Sequence, residues 1–227
     1  MKPFLDGIAA EKFDSSQTAG FLIDRESTRQ VEGRYVQKVS AVETLRDPFG
    51  KSYNFERTFF TEQRFWLRLK PPGLILFDSN SAGRILTGRL SDFSDFRISL
   101  ENIDWLPENL LMAFVERFGP VRVYAATVDE IKLSPSAAVS LLFESTDDVR
   151  PHVRRFLKGK QSTFESLKIE FTFSGSSKRC ELRKNGTVQI YGDYDPSLTM
   201  LVIQLVERFL SNLALSHNAR KTAPPQP

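Results

Sequence analysis

Cys180-Glu181-Leu182-Arg183-Lys184-Asn185-Gly186-Thr187-Val188-Gln189-Ile190-Tyr191-Gly192 reads as a tight hairpin running into a helix. Asn185-Gly186 supplies the positive φ angles of a two-residue turn. Over 196–213, Leu198, Leu201, Val202, Leu205, Val206, Phe209, Leu210 and Leu213 make a broad apolar helical face, with Pro196 suited to the first turn. Just upstream, Leu167, Ile169, Phe171 and Phe173 alternate with Lys168, Glu170 and Thr172, the pattern of a strand buried on one face.

Working back toward the N-terminus, the residues 106–118 carry Leu106, Leu110, Leu111, Phe114, Val115 and Phe118 at helical spacing, stopped by Gly119-Pro120. Strands are expected at 121–133 and 137–143. Ser145-Thr146-Asp147-Asp148 is a capping signal for a helix ending near 157. Earlier still, the pattern is strand-like from Tyr35, with a turn at Asp47-Pro48-Phe49-Gly50-Lys51 and strands at 55–60 and 64–69. Pro71-Pro72-Gly73 breaks the chain. An apolar run at 74–77, a loop at 78–83, a strand at 84–87 ending in Gly88 and one more strand at 96–100 follow. Residues 1–30 read as an arm with at most one short helix, and 216–227 as a polar, Pro-rich disordered tail. The expected division is an arm at 1–34, a first αβ half at 35–120, a second at 121–215, and the tail.

Composition limits the class. The chain has 227 residues, 41% of them hydrophobic and 26% charged, enough to bury a core without disulfides or metal. The single Cys180 excludes an intramolecular disulfide framework and any thiol-rich zinc site. The start Met1-Lys2-Pro3-Phe4-Leu5-Asp6 has no apolar h-region, and no apolar run approaches a membrane span, so a cytoplasmic location is expected, or a nuclear one in a eukaryote. A net charge of +3 gives only modest attraction to phosphates unless the cations share one face. Phenylalanine is over-used at 19 residues, mostly for core packing, with a minority available as exposed contact residues.

Val115-Glu116-Arg117-Phe118 recurs as Val206-Glu207-Arg208-Phe209, 91 positions on (206 − 115). Each copy lies late in an apolar helix that follows a strand ending in Gly: Arg84-Ile85-Leu86-Thr87-Gly88 and Thr187-Val188-Gln189-Ile190-Tyr191-Gly192. This layout points to an internal duplication. The glycines are 104 apart (192 − 88), so the first copy carries extra residues before its helix. Over 55–213 the layout resembles the saddle of the TATA-box-binding-protein family. The resemblance is carried by Arg64-Phe65, Leu74-Ile75-Leu76-Phe77 and Arg84 to Gly88 in one copy, and by Phe164, 167–173, Asn185-Gly186 and Gly192 in the other. It implies a curved antiparallel sheet with long helices on one face, an α+β fold. It also implies a concave face on which pairs of Phe side chains wedge between base steps. Phe65 and Phe77 would be one pair and Phe164 half of the other. Arg183 stands where the second wedge belongs, and Asp129 stands near the family's central Asn. These departures speak against TATA recognition itself and for a saddle used as an interaction module.

Two sets of cations are candidates for such binding. The sheet set is Arg64, Arg68, Lys70, Arg84 and Arg89, then Lys168, Lys178, Arg179, Arg183 and Lys184, interleaved with Phe65, Trp66 and Tyr191. The helix set is Arg150, Arg154, Arg155, Lys158 and Lys160 with His152. Both also read as ordinary solvated surface. Asp195 before Pro196 is a helix cap rather than a Mg²⁺ ligand with Asp193. His152 and His217 have no metal-spaced partners, Cys180 has no evident base, and no phosphate-binding Gly loop occurs. No metal, cofactor or catalytic residue is therefore expected. The expected function is a non-catalytic binding module taking nucleic acid on the exposed sheet. The alternative is a protein-interaction or assembly subunit whose sheet or helix face docks a partner.

Overall fold

The computed structural model describes residues 2–14, 16–79, 81–93, 103, 105–134, 136–160 and 162–222, without the side chains of 2, 3 and 214–222. The chain is α+β and divides into two compact units, Met1–Leu100 and Glu101–Pro227, each built on its own antiparallel sheet. The expected single curved sheet is thus two sheets. The boundary falls before the helix at 107–118 rather than after it, because that helix packs on the second sheet.

The first unit runs α1 (Lys2–Ala10), β1 (Ala19–Glu26), β2 (Gln30–Arg46), β3 (Ser52–Arg68), β4 (Leu74–Phe77) and α2 (Ser81–Phe93). Its sheet is a meander in the order β1-β2-β3-β4. Alternation decides the faces. Phe21, Val31, Tyr35, Phe65 and Leu67 turn one way and form the core with Phe4 and Ile8 of α1 and Ala82, Leu86 and Leu90 of α2. Gly7 lets α1 approach α2, since a Cβ there would stand 2.3 Å from the Phe93 ring.

Three expectations are corrected in this unit. The N-terminal arm is part of the fold: Phe4, Ile8 and Phe21 are core residues. The strands at 55–60 and 64–69 are one strand, β3, which pairs with β2 without interruption from Gln30↔Arg68 to Arg46↔Ser52. Residues 84–87 are helical, because Ala82, Leu86 and Leu90 repeat every four residues and bury one stripe; the short run Ile85-Leu86-Thr87 mimics a strand only in isolation. The strand expected at 96–100 lies outside the described residues.

The second unit runs α3 (Pro107–Phe118), β5 (Arg122–Ser134), β6 (Ala137–Glu144), α4 (Arg150–Leu157), β7 (Thr163–Phe173), β8 (Ser176–Arg183), β9 (Val188–Tyr191) and α5 (Pro196–Thr222). The sheet order is β6-β5-β7-β8-β9. Val123, Val128, Leu167, Ile169, Cys180 and Leu182 form the core with Leu110 and Phe114 of α3, Val153 of α4, and Leu198 and Val202 of α5. The helix runs on to Thr222 through part of the expected tail. Asp195 caps it as expected, its carboxylate accepting the Leu198 N–H at 3.0 Å.

The hairpin at Asn185-Gly186 exists, but with a longer loop than the two-residue turn expected. Arg183 N–H donates to Thr187 O and Gly186 N–H to Arg183 O, and only Gly186 takes a positive φ, of 85°. This is a tight turn closed by a left-handed Gly, a three-residue loop. The two-residue turn with two positive φ angles is Ser174-Gly175, between β7 and β8.

Candidate functional site

The expected binding surface was the sheet face opposite the helices. In the first unit that face carries Arg34, Glu62, Arg64, Trp66, Arg68 and Phe77, as the register pairs Arg34↔Arg64↔Phe77 require. Arg34 binds Asp24 at 3.0 Å and Glu62 at 3.3 Å. Arg64 stacks over the Phe77 ring at 5.0 Å, and Trp66 meets that ring edge-on at 5.0 Å. Burial lowers the pKa of the Arg68 guanidinium. Phe65 is not on this face. It is fully buried on the core side, because neighbours in a strand point to opposite faces. Phe65 and Phe77 therefore do not make a wedge pair. Arg84 lies exposed on α2, and Arg89 pairs with Glu11 at 3.7 Å, both on the helix side of the unit.

In the second unit the open face is an ordered network of opposite charges. Arg122 pairs with Glu170, which also accepts from Arg179 at 3.4 Å and Ser177 at 2.7 Å. The hydrogen bond from Arg122, then that from Ser177, pull the Glu170 carboxyl down to about 2. The guanidinium groups of Arg122 and Arg179 both lie over the Tyr124 ring, 5.9 and 5.3 Å from its centroid. Glu181 accepts from Arg183 at 3.1 Å and from the Tyr191 hydroxyl at 2.7 Å. Burial and the bond to Glu181 push Tyr191 up to about 12. Lys168 stands in register with Glu181. A shallow groove of about 380 Å³ runs along Glu170, Ser177, Arg179, Tyr191 and Gly192. Phe164 is absent from this face: it pairs with Val128 and packs on the core. Lys184 is half-buried at the turn, its carbonyl accepting from Trp105 N–H. Lys178 reaches Asp195 at 3.9 Å. Glu170 and Glu181 thus each draw in cations of this sheet, Arg122 and Arg179 on the one and Arg183 on the other, a pattern that weakens the field a phosphate backbone would need.

The helix cations are arranged differently. Arg150 is tied to Asp148 and to Val121 O. Arg154, Arg155 and Lys158 are exposed and have no carboxylate partner among the described residues. Burial raises the pKa of the Cys180 thiol far above its ordinary range, which keeps it protonated and unreactive. Among the described residues no three His, Cys, Asp or Glu side chains gather where a metal could bind, and no helix is long and apolar enough to cross a membrane.

One surface stands out that was not singled out from the sequence. Beyond Gln37↔Thr61 the paired strands β2 and β3 leave the sheet as a two-stranded arm, Lys38–Arg46 against Ser52–Phe60. The side chains on the core side continue outward as Val39↔Phe59, Ala41↔Arg57, Glu43↔Phe55 and Leu45↔Tyr53. In the body of the unit α1 and α2 cover that face. Along the arm Phe55 is 52% and Leu45 58% exposed, and Phe49 at the tip is 93% exposed. Phe59 and Phe60 are exposed as well, although Phe60 meets Phe13 edge-on at 6.1 Å. The tip is tied by Asp47, whose carboxylate accepts the N–H groups of Phe49 and Lys51. The alternation on either side of the Asp47–Lys51 turn carried this signal. No protein-family model matches the sequence, and no curated protein matches it.

Proposed function

We propose that this chain is a non-catalytic assembly module that joins a second copy of itself through the apolar face of the β2–β3 arm. The observation that carries the reading is the row pattern on that face. Apolar pairs Val39/Phe59 and Leu45/Tyr53 bracket one cation and one anion, Arg57 and Glu43, which lie on adjacent rows and pair with each other within the arm at 3.4 Å. The face is therefore self-complementary, as a two-fold interface must be. Turn a second arm about a two-fold axis that crosses the strands midway between the charged rows. Its Leu45/Tyr53 row then covers Val39/Phe59, and its Arg57 enters the row of the first Glu43. A ribbon of nine pairs is about 30 Å long and on the order of 10 Å wide, a small interface, so a reversible dimer is expected.

Nucleic acid on the sheet face is the competing reading. What weighs against it is the pairing of Arg34, Arg122, Arg179 and Arg183 with carboxylates on both open faces. The resemblance to a duplicated saddle gains little from element order, since the second unit carries α4 between its strands β6 and β7 and the first unit has no helix between strands among the described residues. The recurrent Val-Glu-Arg-Phe adds nothing to it, because both copies lie in the second unit, in α3 and α5.

Sedimentation velocity over a concentration series tests the assembly. The native chain is expected to move from monomer to dimer as concentration rises, and Phe55→Asp to weaken the dimer at least about tenfold. A native chain that stays monomeric while shifting short DNA or RNA on a gel, with binding that falls steeply in salt, would transfer the function to the competing reading.

A further inference from the structure

A second surface, independent of the arm, lies at the edge of the other sheet. β6 pairs only with β5 among the described residues, so alternate residues along its outer side turn N–H and C=O groups away from the sheet. Edges are usually blunted. The strands β4 and β9 are four residues each. The edge of β1 is bridged by the segment at Lys12, with Phe21 bonded to Glu11 O and to Phe13 N–H, and it ends in Asp24-Arg25-Glu26. β6 is less protected: it is eight residues long, Ala137-Ala138-Val139-Ser140-Leu141-Leu142-Phe143 holds no charge and no proline, and only its last residue, Glu144, is charged.

The helix α4 lies on the core side at the Phe143 end of this edge. The Phe156 ring packs on Phe143 of β6 at 5.4 Å, which fixes the flank of α4 that faces the edge. At 100° per residue, His152 stands one turn before Phe156 on that flank, and Arg155 borders it. Arg150, bonded to Val121 O, and Arg154 lie on the opposite flank. Lys160 Nζ sits 4.4 Å from the Phe156 ring centroid. A strip of unpaired strand therefore runs beside an exposed ring and exposed cations, and neither Arg155 nor His152 has a carboxylate partner among the described residues.

We infer that this edge binds an extended acidic peptide from a partner protein, which adds to the sheet as a sixth strand. Main-chain hydrogen bonds to β6 supply affinity and alternate side chains supply selection. Side chains on one face of the added strand meet α4, so the peptide carries a carboxylate for Arg155 and, two residues away, an apolar group for Phe156. This absorbs part of the helix cluster that composition alone reads as bare surface.

The test uses fluorescence anisotropy with the full chain and a fluorescein-labelled eight-residue peptide. Its Glu and Leu stand two residues apart, with Val and Thr elsewhere. Three comparisons decide it: the same peptide with Lys for Glu, the same peptide N-methylated at alternate residues, and a random oligonucleotide of similar length. Saturable binding of the acidic peptide is expected, lost on N-methylation and weakened about tenfold or more by Arg155→Glu. The Lys peptide should prefer the Arg155→Glu chain. Arg155 is exposed, so the variant keeps its fold, and an unchanged circular dichroism melt checks this. Equal binding of the N-methylated peptide, no effect of Arg155→Glu, no binding at all, or tighter binding of the oligonucleotide at the same flank would each overturn the assignment. Phe55→Asp is expected to leave peptide binding unchanged, which separates this site from the arm.

Discussion

Phe65 and Phe77 look alike in the sequence and differ in role by one step of strand alternation. Phe65 sits inside the first core against Phe21 at 6.0 Å, whereas Phe77 lies half-buried beneath Arg64 and Trp66. Phe65→Ala is therefore expected to cost about 3–5 kcal/mol of stability and Phe77→Ala about 1 kcal/mol, in urea melts. A wedge role would have predicted the reverse emphasis, with loss of binding at little cost in stability. Glu170 makes a second prediction at this scale. Its folded pKa of about 2 lies below its usual 4.5, so its stabilising effect is complete above about 4.5 and fades as the pH falls toward 2. Glu170→Gln is expected to lower the melting temperature at pH 7, with a loss of stability of no more than about 1 kcal/mol for a partly exposed pair. The difference should close near pH 2; a constant difference across that range would contradict the pairing. The pairing itself was invisible in the sequence. Arg122, Glu170 and Arg179 come from three strands, and only the register makes them neighbours.

The arm belongs to the scale of elements. Its turn at Asp47–Lys51 and the strand-like pattern on each side were legible, and so were the strands β5, β6 and β7 and the helix α3. The length of the β2–β3 pairing was not, because no single strand shows how far a partner accompanies it. The helix α2 was misread for a related reason: its stripe Ala82, Leu86, Leu90 emerges over three turns, whereas a window of four residues sees only Ile85-Leu86-Thr87. The buried residues of β2 and β3 stop at Val36 and Gln63. Replacing residues 40–58 by a short turn is therefore expected to leave the first core intact, with the cooperative melt retained. Collapse of that melt would mean that the arm supports the fold instead of projecting from it.

At the scale of the molecule, the class α+β was readable, while the division was not. The recurrence of Val-Glu-Arg-Phe drew the halves at 120/121, but Phe118 and Phe209 both pack on the second core, so the two copies flank one sheet. The boundary lies at 100/101 instead. Of the candidate binding residues, the side-chain types were visible and their compensation was not: a cation in a strand pattern carries no sign of the carboxylate that the next strand sets beside it. The apolar surplus is what remains uncompensated, and four of the exposed phenylalanines, Phe49, Phe55, Phe59 and Phe60, lie on the arm. The central claim is that two arms meet with Arg57 of one in the row of Glu43 of the other. The most direct measurement mixes two variants, Glu43→Arg and Arg57→Glu, and follows mass by sedimentation equilibrium. Each variant alone places like charges in the shared rows and is expected to dimerise about tenfold less well than the native chain, while the equal mixture regains native affinity as a heterodimer. A mixture no more associated than the separate variants would contradict the account.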